Sequence, residues 1–220
     1  VDRNNMNISL DGIRKAITPK TKAIVPVHLF GRAANMDAIM EIANEHNLYV
    51  IEDNAQAIGA DYTNKDGVKK KVGTIGHVAA TSFFPSKNLG CYGDGGAIFT
   101  NDDNLAHIIR GIVNHGMYER YHHDVVGVNS RLDSIQAGVL KAKLPHLDTY
   151  NKARQDAARK YSLSLSVNPN IWAPFICETC DCHVFHQYVI RITNGKRDAL
   201  LAHLQEKGTP CAIYYPIPLH

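Results

Sequence analysis

From Thr21 to Glu52 the chain reads as strand, helix, strand. A crossover of that length joins neighbouring strands running in the same direction, because an antiparallel pair needs only a tight turn. Lys22-Ala-Ile-Val-Pro-Val-His28 is the centre of an apolar run, Thr21 to Leu29, that predicts a buried strand. Gly31 turns the chain. Asn35 or Asp37 then opens a helix in which Met36, Ile39, Met40 and Ala43 recur at helical spacing, ending near Asn47. Tyr49-Val-Ile-Glu52 is the returning strand. Parallel strands need helices on their faces, so this unit commits the chain to an α/β class with a mostly parallel sheet.

The remaining segments follow the same rules. Leu10 to Ile17 predicts a short helix, with Ser9 or Asp11 as its cap and Thr18-Pro19 as its stop. Asn64-Lys-Asp-Gly67 is a turn, and Lys69-Lys-Lys71 after it reads as a solvated hairpin rather than a nucleic-acid patch. Val78 to Phe84 is an apolar strand that breaks at Pro85, and Gly96 to Thr100 is another strand. Asp102 or Asp103 caps a helix covering Leu105 to Val113, and Met117 to Ser130 reads as loop. Ser134 to Tyr161 is a long helical pattern with Pro145 as its point of interruption. Asn168 to Pro174 reads as a linker, Val184 to Ile192 as a strand, and Arg197 to Lys207 as an amphipathic helix stopped by Gly208. Two parts result: residues 1–145 as part of a large α/β domain, and 146–220 as part of a smaller α+β domain.

Composition narrows the class. Charged residues make up 20% of the chain and the net charge is only +3, with both signs interspersed, so nucleic acid is not an expected partner. Apolar runs are too short for a membrane span. Five cysteines, an odd number, point to a reducing cytoplasm. Cys177, Cys180, Cys182 and His183, with His186 nearby, have the look of a zinc site, but no second Cys-x-x-Cys exists to complete it. The expectation is a loop of free thiols and no metal. Val1 is not an initiator, and the last residues stop in an apolar, proline-punctuated run, so both ends read as truncated.

One lysine stands out. Lys87 lies between the Val78–Phe84 strand and Gly90, Gly93, Gly95 and Gly96, where the backbone can approach a ligand closely. A partly desolvated lysine is the side chain that forms Schiff bases, which points to pyridoxal 5'-phosphate (PLP). Such a cofactor needs a carboxylate at its pyridine nitrogen, donors for its phosphate and a group near its ring hydroxyl. Asp53 at a strand end, Ser82 five positions before the lysine and Gln56 three after the aspartate can supply these. Each also has an ordinary reading: a helix cap, a hydroxyl bonded to backbone, a solvent-facing amide.

These residues, with Pro26-Val-His-Leu-Phe-Gly31, Glu52-Asp-Asn-Ala-Gln-Ala57, Ser82-Phe-Phe-Pro-Ser-Lys-Asn-Leu-Gly90, Gly93-Asp-Gly-Gly96, Gly127-Val-Asn-Ser-Arg-Leu-Asp133 with Gln136, and Tyr215-Pro-Ile-Pro-Leu-His220, occur in order along the chain. In this the sequence resembles the DegT/StrS-type nucleotide-sugar aminotransferases, of the fold-type I (aspartate aminotransferase-like) PLP superfamily. The resemblance implies a three-layer α/β/α large domain with part of a smaller α+β C-terminal domain. It implies Lys87 as the catalytic and cofactor-bearing residue, Asp53 on the pyridinium, Gln56 by the ring oxygen and Ser82 on the phosphate. It also implies that Asn129 reaches a partner subunit's cofactor in a homodimer, and that Arg131 and His220 lie near the sugar. Retention of lysine, where dehydratases of the family carry histidine, favours transfer of an amino group from glutamate to a nucleotide-linked keto-sugar. The Tyr215–His220 ending resembles members acting at C3. The alternative is a non-catalytic PLP- or nucleotide-binding regulatory module of the same fold.

Overall fold

The computed structural model describes residues 1–176 and 182–217. Its elements are α1 (Leu10–Ala16), β1 (Ala23–Ile24), α2 (Met36–Glu45), β2 (Tyr49–Asp53), β3 (Asp61–Thr63), β4 (Lys69–Lys71), β5 (Val78–Ser82), β6 (Gly96–Phe99), α3 (Asp103–Val113), β7 (Met117–Glu119), β8 (His122–His123), α4 (Ser134–Lys143), α5 (Leu147–Leu165), β9 (Ile171–Trp172), β10 (Arg191–Ile192) and α6 (Arg197–Glu206). The main sheet has the order β1-β2-β5-β6, with β1/β2 and β2/β5 parallel and β5/β6 antiparallel.

Local chemistry sets the boundaries. Ser9 Oγ accepts the Gly12 N–H to cap α1, Asn35 Oδ1 accepts the Ala38 N–H to cap α2, and Asp102 Oδ1 accepts from Asn104 and Leu105 to cap α3. Pro145 divides the predicted long helix: Leu144–His146 forms a 3₁₀ turn between α4 and α5. The Asn64–Gly67 turn closes the β3–β4 hairpin, whose Lys69 and Lys71 pair with Asp61 at 2.8 Å each. Asp61 thus offsets part of the lysine charge within the hairpin.

The core lies on both sides of these joints. Ile13 of α1, Met36, Ile39, Ile42 and Ala43 of α2, Ile24 and Val50 form one cluster. Phe83, Leu89 and Cys91 after β5 pack with Leu140 of α4 and Leu147 of α5 in a second. A third joins Ala57, Ala60 and Val72 to Val184.

Four predicted segments differ. The Thr21–Leu29 strand contracts to β1 plus a bridge from Val27 to Asp53, since Pro26 interrupts the row of donors. Met117–Ser130, read as loop, contains the β7–β8 hairpin. The linker Asn168–Pro174 contains β9, which pairs with β10. Of the predicted Val184–Ile192 strand only Arg191–Ile192 is strand: its neighbour β9 is two residues long, and the rest folds against other segments.

Ile39 has no solvent exposure. Ile39→Ala should lower the unfolding free energy by about 3 kcal/mol, through lost burial plus the cavity left behind. Chemical denaturation checks this.

Candidate active site

The parallel register aligns Asp53 with Ala80, so the carboxyl ends of β2 and β5 lie together. Asp53 closes β2, and its Oδ1 accepts the Ala55 N–H at 3.0 Å in a turn, not a helix cap. Ser82 closes β5, where its Oγ accepts the Phe84 N–H at 3.2 Å. The chain then doubles back. Phe84 O accepts from Lys87 N, Phe83 O from Cys91 N, and Gly90 O from Lys143 Nζ at 2.7 Å. This tight loop holds Lys87 beside the two strand ends.

The Lys87 side chain is partly buried, and its amine makes no hydrogen bond or ion pair to a described residue. Burial pushes its pKa below the usual lysine range; the nearby Asp53 carboxylate opposes that shift without cancelling it. Partial desolvation favours the neutral amine, which is the form that can act as nucleophile and base. Gln56 is held from both sides: Oε1 accepts the Phe30 N–H at 2.5 Å and Nε2 donates to the Tyr215 hydroxyl at 2.9 Å. Gly31, at φ +95°, lets the Leu29–Gly31 turn lie against this segment; a Cβ there would meet Gln56 O at 2.9 Å.

Asn129 and Arg131 are exposed and bonded to each other, Asn129 Oδ1 accepting from Arg131 Nε at 3.0 Å. Within this chain neither hydrogen-bonds to Lys87, Asp53, Gln56 or Ser82. His220 lies outside the described residues, as do Cys177 and Cys180 of the cysteine cluster. Among the described residues no group of histidine, cysteine and acidic side chains could hold a metal, and no helix is long and apolar enough to cross a membrane. The amine, carboxylate and hydroxyl converging on one sheet end have the chemistry that PLP requires, so the residues fit that group. A cavity of about 390 Å³ lies elsewhere, at the amino end of β5, lined by Gly73, Thr74, Ile98, Thr100, Asn101 and Arg110 among others.

Two supports escaped sequence reading. Glu52 is fully buried, and its carboxylate accepts from Gly73, Ile75 and Gly76 N–H and from His28 Nε2 at 2.6–2.9 Å. His28 Nδ1 accepts the Ala34 N–H, so the imidazole proton sits on Nε2. Desolvation of Glu52 opposes its ionisation, but the converging donors hold its pKa below the usual range. His186 is the second: its Nδ1 lies 3.3 Å from Asn88 Oδ1, beside Lys87. Burial, with the Lys87 and Arg154 charges, pushes its pKa down to about 4. The only sequence signal for Glu52 is its place next to Asp53, and that for His186 is its place near the cysteine cluster.

The whole chain, residues 1–220, matches the DegT/DnrJ/EryC1/StrS aminotransferase family, and it belongs to that family. It is 48% identical over its full length to the UDP-2-acetamido-2-deoxy-3-oxo-D-glucuronate aminotransferase of Pseudomonas aeruginosa, covering 59% of that protein. It is 49% identical, again over its full length, to the pleiotropic regulatory protein of Geobacillus stearothermophilus, covering 58% of it. The crystal structure of S. venezuelae DesV in complex with a ketimine intermediate superposes with a TM-score of 0.90 at 42% identity, over 99% of this chain and 56% of that one. The chain thus spans somewhat under two thirds of the relatives it matches.

His183 and His186 are both held neutral, His183 by burial first and then the Arg32 charge, with its pKa near 3. Their folded values lie below the unfolded value, so the unfolded chain binds the extra protons as pH falls. Stability should therefore drop as pH falls below about 6.5, levelling only near their folded values, with the His186 share reduced by solvent screening. Urea titrations between pH 7 and 4 should show this, with a shallower slope in His186→Gln.

Proposed function

We propose that the protein containing this chain is a PLP-dependent aminotransferase that moves an amino group from glutamate to C3 of a nucleotide-linked keto-sugar. The observation that carries the reading is the desolvated, unpaired Lys87 amine in electrostatic reach of the Asp53 carboxylate at one end of a parallel sheet. The aminotransferase activities named for similar proteins support it, and so does the 3-oxo sugar in the name of the Pseudomonas relative.

When bound, PLP supplies an electron sink for the pair left at a carbon that has lost its proton. Lys87 holds the cofactor through its ε-amine. With the cofactor bound, Nζ would take the α-proton of glutamate in one half-reaction and would supply a proton to C3 of the sugar in the other. Its lowered pKa leaves more of the amine unprotonated near neutrality. Asp53 would keep the pyridine nitrogen protonated, Ser82 Oγ would donate to the phosphate, and the second N–H of Gln56 Nε2 would serve the ring oxygen. In a homodimer Asn129 of a second copy would complete the phosphate site, and Arg131 and His220 would serve in binding the nucleotide-sugar. The free thiols of Cys91 and Cys211 suit a cytoplasmic enzyme.

One relative's name, pleiotropic regulatory protein, favours a second reading: a regulatory module that binds the same ligands without turnover. Release of 2-oxoglutarate from glutamate and a UDP-linked 3-keto-sugar separates the two, since a pure binder yields none.

Full-length protein should carry PLP that borohydride fixes on Lys87. Lys87→Ala should lower turnover by about 10³-fold or more, and Asp53→Asn by about 10²-fold, with smaller changes in KM. Turnover by Lys87→Ala at the parental rate would sink the mechanism.

A further inference from the structure

A line of buried amides connects the two loops of this site. Asn151, on the inner face of α5, donates from Nδ2 to Ile58 O at 3.2 Å, two residues beyond Gln56. Its Oδ1 accepts from Asn88 Nδ2 at 2.7 Å, and Asn88 follows Lys87 directly. Asn88 Nδ2 also donates to Val184 O at 3.1 Å, and its Oδ1 takes the Nδ1–H of His186. The orientations are forced, because the Ile58 and Val184 carbonyls can only accept. Both asparagines are nearly inaccessible, at 7% and 5% exposure. Gly59, at φ +85°, admits the contact: a Cβ there would lie 2.6 Å from Asn151 Nδ2. Arg154, one turn along α5, donates to Phe185 and His186 carbonyls at 3.2 Å and ties down the same C-terminal segment.

We propose that Asn88 and Asn151 are positioning residues: a buried amide clamp that sets the Lys87 loop against the Asp53–Gln56 loop and closes the 184–186 segment over both. The inference rests on the reading of Lys87 and Asp53 as a cofactor site. A purely structural pair in the core would affect stability alone. A clamp on Lys87 must also govern how deeply its amine is buried, and so how it titrates and binds cofactor. Loosening it admits water to Nζ, which returns the amine toward ordinary lysine behaviour.

The test compares Asn88→Ala, Asn151→Ala and the double variant with Ile39→Ala, which loses stability far from the site, all in the full-length protein. The Lys87 titration is read in cofactor-free protein from the pH dependence of its reductive methylation. PLP affinity is read from fluorescence quenching. Each single clamp variant should raise the Lys87 midpoint by about half a pH unit or more and weaken PLP binding about tenfold. The double variant should go little further, as expected of residues acting as one unit. Ile39→Ala should move neither. Clamp variants that melt earlier yet leave the Lys87 midpoint unchanged overturn the proposal, and so do equal shifts in Ile39→Ala. A parent protein that binds no PLP overturns the functional reading instead, and the Lys87 titration then decides the clamp alone.

Discussion

A fully buried carboxylate in the main sheet is the constraint on which the site's geometry depends. An isolated ion there would cost several kcal/mol in desolvation. Glu52 avoids this because three backbone N–H groups and the His28 imidazole converge on it. The donors come from separate places: the segment after β1, at His28, and the loop leading into β5. To satisfy one charge, the fold must bring those segments to β2, and Asp53 and Ser82 take their places on the same sheet end as a result. Removing the carboxylate would leave four donors facing an apolar interior, so the arrangement is all-or-none.

Lys87 is a second consequence of burial. Its loop is tied by backbone hydrogen bonds and by Lys143, its side chain is partly buried, and the nearby Asp53 charge opposes the resulting downward shift without cancelling it. The neutral His186 near it adds bulk without adding charge. Elements from the second half of the chain thus shape a site whose reactive groups all lie in the first half. Asn129 and Arg131 stand apart, exposed and hydrogen-bonded to each other.

Much of the fold was legible because it rests on local rules. Caps at Ser9, Asn35 and Asp102, the break at Pro145 and the turn at Asn64–Gly67 are read from a few adjacent residues. The βαβ unit was legible because its apolar periods are strong. The failures share a different cause. An apolar run such as Val184–Ile192 shows that a segment is buried, not that it has a strand beside it, and here most of it packs against α5 and the Lys87 loop. The β7–β8 and β9–β10 pairs are too short to carry a period and exist only because their partners are close.

For the site, the sequence by itself offered the candidates Lys87, Asp53, Ser82 and Gln56, in an order that one chemistry explains. Residue type and local order suffice to nominate such groups. Only the tertiary structure decided the supports, Glu52 with His28 and Asn88 with Asn151. Asn88 and Asn151 are 63 positions apart, and their amides meet only because α5 packs against the Lys87 loop. A polar side chain in a sequence carries no mark of whether it will be buried. Burial, which makes its hydrogen bonds obligatory, is settled by long-range packing alone.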